Sequence, residues 1–233
     1  MIDPFGFAVS DYLSGIRGTA IMVYSNLTEP DIISVDYLFR SYKEMPELEQ
    51  IALKECSGLI LDVGACAGAH MLELQQQGKE TEGIDTSEKI VTLLKQRNLI
   101  AYHADFYRYD ISRYDTILLL MNGLGIAGTV NGLHKMMQKF SDNMKEGAQV
   151  LADSSDIAYM FDDEQSMKDW STEVEYYGEL KYQIEYKDVL GAEFNWLFAD
   201  FNLIRDIAEK YQLKAELLFE DQNNQFLCRI IRE

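Results

Sequence analysis

Only three cysteines occur in the 233 residues, at positions 56, 66 and 228. Their number is odd, their spacing is irregular and no CxxC pair is present. That argues against a disulfide scaffold or a zinc site and for a reducing compartment. Histidine is as scarce: His70, His103 and His134 are scattered, so no metal site is expected. The three prolines, at 4, 30 and 46, all lie in the first fifth of the chain. Basic residues are in short supply, with 21 Lys and Arg against 39 Asp and Glu and a formal charge of -18. A nucleic-acid binder needs a basic face to replace the counterions of the phosphates, and no Lys/Arg run supplies one. DNA and bulk RNA are therefore not expected partners, and an anionic membrane surface is disfavoured on the same ground. The apolar run 116–121 is far shorter than the roughly 20 residues that span a bilayer. The chain begins Met-Ile-Asp-Pro-Phe-Gly, with neither a basic n-region nor an apolar h-region. No signal peptide and a cytoplasmic location are expected.

What is present is enough apolar material for a buried core, 47% of the residues. The length suits one large domain or a core with a small appendage. Residues 1–57 read as a helical cap: 31–42 and 45–56 carry apolar residues at helical spacing, and Pro46 suits a first helical turn.

From residue 58 the pattern alternates between strand and helix. Strands are expected at 59–63, 81–84, 100–104, 115–121 and 149–152, the fourth being the most apolar, as befits a central parallel strand buried on both faces. Helices are expected at 69–77, 87–97 and 133–144, with Gly78 and Asn98 as stop signals. This rhythm predicts a parallel sheet built from βαβ units. It breaks near the end. A Tyr-rich insertion over about 173–198 reads as a hairpin or small sheet with Gly191 near its turn. A helix at 200–211 follows, then two strands, 213–220 and 225–231, joined by the turn-prone Asp221-Gln222-Asn223-Asn224. They should pair antiparallel at a sheet edge.

The first strand runs into Asp62-Val63-Gly64-Ala65-Cys66-Ala67-Gly68 and then a helix. A glycine turn before a helix N-terminus offers free N–H groups and close backbone approach. A dinucleotide fingerprint would need Gly at 64, 66 and 69, and the last two are Cys66 and Ala69. The pattern Asp62-x-Gly64-x-Cys66-x-Gly68 instead resembles motif I of the class I S-adenosylmethionine-dependent methyltransferases, departing from it at Cys66, where that family usually has Gly. A small Cys is tolerable there if its φ stays negative. Asp85, which closes the second strand, and Asp105, which follows the third, extend the resemblance. Three acids stand at three successive strand ends on one sheet edge.

The resemblance implies a three-layer α-β-α, Rossmann-like seven-stranded sheet with an antiparallel terminal strand pair, plus N-terminal helices and a small β insertion. Residues 58–233 would form the methyltransferase domain. S-adenosylmethionine would lie on Asp62, Gly64, Ala65, Cys66 and Gly68, its ribose on Asp85 and Thr86, and its adenine on Asp105 and Phe106. Met121 and Asn122 occupy the family's motif IV position facing the transferable methyl, without the Asn/Asp-Pro-Pro-aromatic tetrad of many amino-directed members. Arg40 is the candidate partner of the methionine carboxylate.

Methyl transfer from a sulfonium is mainly alignment and exclusion of water, so no base is dictated. Asn122 and Asp153 are the candidates at the right edge, the run 153–156 reading equally well as a capped helix start. Cys66 as a nucleophile has no histidine partner in sequence other than His70. The expected reaction is methylation of an unidentified small molecule by a monomer or homodimer. A nicotinamide-dependent oxidoreductase and a non-catalytic S-adenosylmethionine-binding module are the alternatives.

Overall fold

The computed structural model describes residues 2–170 and 174–232. Helix α1 (Pro4–Leu13) opens the chain, its N-cap Asp3 accepting the Gly6 N–H at 2.8 Å. Strands β1 (Ala20–Ser25) and β2 (Asp31–Ser34) follow, then helix α2 (Glu47–Glu55). The alternation begins with β3 (Ile60–Val63), α3 (Ala69–Gln76), β4 (Thr81–Asp85), α4 (Glu88–Gln96) and β5 (Ile100–His103). It continues through β6 (Thr116–Leu119), α5 (Val130–Asn143), β7 (Gln149–Ser155) and α6 (Glu164–Trp170). Strands β8 (Glu179–Tyr186), β9 (Val189–Leu190) and β10 (Phe194–Leu197) precede α7 (Phe201–Lys210), and β11 (Leu213–Glu220) and β12 (Gln225–Arg232) close the chain.

Seven strands form one sheet in the order β11-β12-β7-β6-β3-β4-β5. The pairs β3·β4, β3·β6, β4·β5 and β6·β7 are parallel, while β12 runs antiparallel to both β7 and β11. The expected seven-stranded sheet with its antiparallel terminal pair is thus present. Every residue of β3 and β6 is buried, as central strands covered on both faces must be. Leu61 and Val63 pack with α5 and α7, whereas Ile60 packs with α2 and α3 on the other face. Helix α5 shows why it docks: Leu133, Met136, Met137 and Phe140 are all buried, an i, i+3, i+4, i+7 stripe. From β3 the chain moves outward to β4 and β5, then crosses back to β6 on the other side. The crevice beyond the carboxyl ends of β3 and β6 is therefore a topological switch point, the place where open α/β sheets bind ligands.

A second sheet of five strands, β10-β8-β1-β2 with β9 paired to β8, covers part of that edge. It corrects the reading of residues 1–57 as a helical cap. Segment 31–42 is a strand followed by a 3-10 turn over Val35–Phe39. The physical reason is non-local. Strand β1 pairs with β2 on one side and with β8 on the other, in the register Val23↔Asp31 and Val23↔Ile184. Those ladders outweigh a helical spacing that is satisfied in part by burial of Val35 and Leu38. The insertion is thus not a free-standing hairpin but half of a shared sheet, and its turn lies at Lys187, with φ 53°, before Gly191. Its expected start, Glu173, lies outside the described residues. Glu179 fastens this sheet to the core by accepting the Val130 N–H at 2.6 Å, a carboxylate on the N-terminus of α5.

Candidate functional site

The loop after β3 is built by backbone bonds to β4. Gly64 and Ala65 donate to the Ile84 carbonyl at 2.9 and 3.1 Å, and Gly68 to Ala65 at 2.7 Å. Gly64 and Gly68 have φ 73° and 76°, in the left-handed region. At Gly68 a Cβ would also lie 2.7 Å from Leu94 and Leu99, so glycine lets α3 pack close to α4. At Gly64 a Cβ would meet nothing nearer than Ile126 at 3.8 Å, so the space above it is open to a ligand. Cys66 does not keep the negative φ expected of it. Its φ is 45°, a conformation that costs a non-glycine residue about 1–2 kcal/mol. Its N–H donates to Asp85 Oδ2 at 3.1 Å, which helps hold it there. Burial, aided by the Asp85 carboxylate, pushes the Cys66 thiol up to about 12, which removes it as a nucleophile.

Asp85 also accepts the Ser87 N–H at 2.8 Å. Burial pushes its carboxyl up to about 6 against the lowering effect of the two N–H donors, with Asp3 and Asp62 adding repulsion. Ser87 in turn donates its hydroxyl to Asp3, so α1 is tied to the turn that carries Asp85. Thr86 is exposed, and its carbonyl faces His103 Nε2 at 2.9 Å. Asp105 caps the turn that follows β5 through the Tyr107 N–H at 2.9 Å and leaves half its side chain exposed. The Phe106 ring is buried and packs edge-on against Phe140, so it belongs to the core and only its backbone reaches the sheet edge.

Beyond β6, Met121 and Asn122 both have left-handed φ, 62° and 56°. Two such residues in a row, one of them Met, mark strain at a sheet edge. The Asn122 amide donates to the Leu197 carbonyl of β10 at 3.3 Å, and its Oδ1 is buried without a partner. Asp153 accepts the Gly123 N–H at 3.3 Å across from it. Burial pushes Asp153 up to about 6, opposed by the N–H groups of Asn122 and Gly123. The run 153–156 is not a helix start: Ser154 and Ser155 finish β7, and Ser154 Oγ accepts the Ala199 N–H.

Arg40 stands in a buried cluster beside Asp62, its charge already met by Glu49. Its guanidinium is buried and spans the Glu49 carboxylate, Nη2 to Oε1 at 2.6 Å and Nε to Oε2 at 3.2 Å, with Nη1 on the Tyr37 carbonyl at 3.0 Å. His70 Nε2 lies 3.0 Å from Glu49 Oε2. Burial opposes ionisation of Glu49, but His70 and Arg40 outweigh it and hold the carboxyl below its ordinary value. Glu49 and His70 were missed. The available signal was an acid on the apolar face of α2, between Leu48 and Ala52, where only a paired carboxylate is tolerated. Beside this cluster sits Asp62, 3% exposed, with Oδ2 unpartnered and its pKa raised by burial.

That orphaned oxygen, the open backbone at Gly64 and the acid at the end of β4 fit a ligand with a cationic head and a ribose. Comparison with known proteins agrees. No family model and no curated protein matches the chain. Among solved structures, a methyltransferase from Bacteroides fragilis in complex with S-adenosyl-L-homocysteine is 36% identical, with a TM-score of 0.90 over 99% of this chain and 95% of that one. The CcbJ methyltransferase of Streptomyces caelestis, 13% identical, has a TM-score of 0.60 over 82% and 94%. CalS10 of Micromonospora echinaspora, an amino pentose methyltransferase with S-adenosylmethionine bound, is 13% identical, with a TM-score of 0.53 over 82% and 94%. With a relative this similar along nearly the whole of both chains, the protein belongs to the S-adenosylmethionine-dependent methyltransferases, in their class I, Rossmann-like fold.

Proposed function

We propose that the chain methylates a small-molecule acceptor at the carboxyl edge of β3, β6 and β7. The observation that carries this reading is the buried, unpartnered Asp62 Oδ2 at the switch point, beside the open backbone of Gly64. In this reading Asp62, Gly64, Ala65, Cys66 and Gly68 receive the amino-acid end of the donor. Asp85 takes the ribose hydroxyls with Thr86 beside it, and Asp105 and the Phe106 backbone take the adenine. The bound donor supplies an electrophilic methyl on sulfur. The residues of this chain bind, orient and exclude water. In this reading Asn122 and Asp153 face the acceptor, and the second sheet, tied to Asn122 through the Leu197 carbonyl, suits a small acceptor better than a macromolecular one. Arg40 has a reduced part in it, because Glu49 already neutralises its charge.

Calorimetric titration with S-adenosylhomocysteine tests the donor site. Binding at micromolar or better affinity is expected, with no heat from NAD(P), and Asp85→Ala should weaken it at least tenfold. Binding of NAD(P) in preference would turn the reading toward an oxidoreductase.

A further inference from the structure

The loop after β3 is pinned on both sides of one residue, Cys66. On one side the Cys66 N–H donates to Asp85 Oδ2 at 3.1 Å. On the other the Ala67 carbonyl accepts from Nη1 of Arg97, which lies 30 positions further along the chain at the end of α4. Between these two anchors Cys66 holds its φ of 45°. Gly64 and Gly68 share that left-handed region, which glycine enters freely. Cys66 is the residue of the loop that must be kept there against its own preference.

Arg97 has an ordinary reason to be basic. It is the C-cap of α4, and a cation suits a helix C-terminus. A side chain left in solvent meets that need. The guanidinium instead folds back, half-buried, with its carbon 5.2 Å from the centroid of the Phe39 ring, and reaches the loop. Phe39 is itself fixed, stacked on Tyr12 of α1 at 3.9 Å with the planes 12° apart. Burial lowers the pKa of Arg97 from its ordinary value, so this placement carries a desolvation cost. None of the ion pairs among the described residues involves Arg97. What offsets the cost is the Ala67 carbonyl and the aromatic face.

Resting on the methyl-transfer reading, we infer that Arg97 is a positioning residue for the donor: it holds the Ala67 carbonyl, and with the Asp85 anchor keeps Cys66 left-handed and the backbone from Gly64 to Gly68 shaped for the amino-acid end of S-adenosylmethionine. Arg97 acts through the loop rather than through its charge on the donor. The Phe39–Tyr12 stack keeps its guanidinium aimed, so the N-terminal segment contributes to the donor site without lining it.

Glycine at 66 needs no holding, so a double-variant comparison by calorimetric titration with S-adenosylhomocysteine tests the inference. Arg97→Ala should weaken binding about tenfold, the scale of a lost hydrogen bond to a charged group, and Arg97→Lys should weaken it less. In a Cys66→Gly background the same Arg97→Ala change should cost no more than about twofold. A role confined to capping α4, or to attracting the donor by charge, predicts equal losses in the two backgrounds. With cysteine at 66, Arg97→Ala should also make one thiol react about tenfold faster with a disulfide reagent, and Cys66→Gly should remove that fast thiol. Unchanged affinity in Arg97→Ala, or a loss as large with glycine at 66 as with cysteine, overturns the inference. If Arg97→Ala does not fold, Arg97→Gln, shorter and uncharged, takes its place in both backgrounds. Failure of S-adenosylhomocysteine to bind the unmutated protein strikes the methyltransferase reading instead, and the thiol rate then decides whether Arg97 holds the loop.

Discussion

Trp196 fills the space that Gly125 leaves by having no side chain: a Cβ on Gly125 would lie 2.3 Å from the indole Nε1. This contact joins β10 to the turn after β6, so the roof over the site rests on a missing methyl group. Gly125→Ala should force the indole outward. Overpacking of this kind costs about 1–3 kcal/mol, so thermal denaturation should shift down by several degrees. The double variant Gly125→Ala/Trp196→Phe should recover part of the loss. An unchanged melting temperature in the single variant would mean that the roof does not bear on this turn.

Asp85 and Asp153, both raised to about 6 by burial, make the protein respond to acid in two opposed ways. An acid whose folded pKa is raised holds more protons folded than unfolded between its ordinary value, 3.8, and about 6. Through that window these two groups lower stability as pH rises, and above it their effect is constant. If Asp85 takes the ribose as proposed, donor binding should run the other way, because only an ionised carboxylate accepts from both hydroxyls. S-adenosylhomocysteine affinity should be about tenfold weaker at pH 5 than at pH 7.5, as a carboxyl one unit above the pH is mostly protonated. Asp85→Asn should bind weakly at both. Equal affinity of the unmutated protein at the two pH values would detach Asp85 from the ribose.

The buried Arg40–Glu49 pair predicts an asymmetric mutational response. Arg40→Ala leaves a buried carboxylate and should cost about 3–5 kcal/mol in urea denaturation. Arg40→Met/Glu49→Leu removes both charges, fills similar volume and should restore most of that. S-adenosylhomocysteine affinity in the double variant should stay near that of the unmutated protein. A large loss would return Arg40 to the donor site.

All three thiols are pushed up to about 12 by burial, at Cys56, Cys66 and Cys228. Native protein at pH 8 should therefore react with a disulfide reagent such as Ellman's far more slowly than a free thiol, and release three equivalents promptly in urea. Fast reaction of one native thiol would show the Cys66 loop opening.

The main sheet was legible in the sequence because each parallel strand is a short apolar run ended by a loop signal. The acids at 62, 85 and 105 fall at strand ends that such runs define. The N-terminal quarter was not legible for the opposite reason. What makes residues 20–25 a central strand is a partner at 182–186, and no window of local sequence contains it. The partner of Arg40 is hidden from the sequence for a related reason. Its helix-like neighbours are visible in sequence, but Glu49 reaches it only after α2 packs. Phe106 was assigned to the adenine by position along the chain, whereas its fit against Phe140 from α5 decides where the ring goes.

Strand β1 lies between β2, its neighbour in sequence, and β8, which is joined to it across some 160 positions of chain in the register Ile21↔Tyr186. On the ribosome the amino-terminal strands must therefore wait, unpaired on one edge, until nearly the whole of the parallel sheet has been synthesised. Closing so long a loop is slow, and the waiting edge offers itself to other chains. A net charge of -18 makes copies of this chain repel one another, which opposes such pairing while the roof is missing.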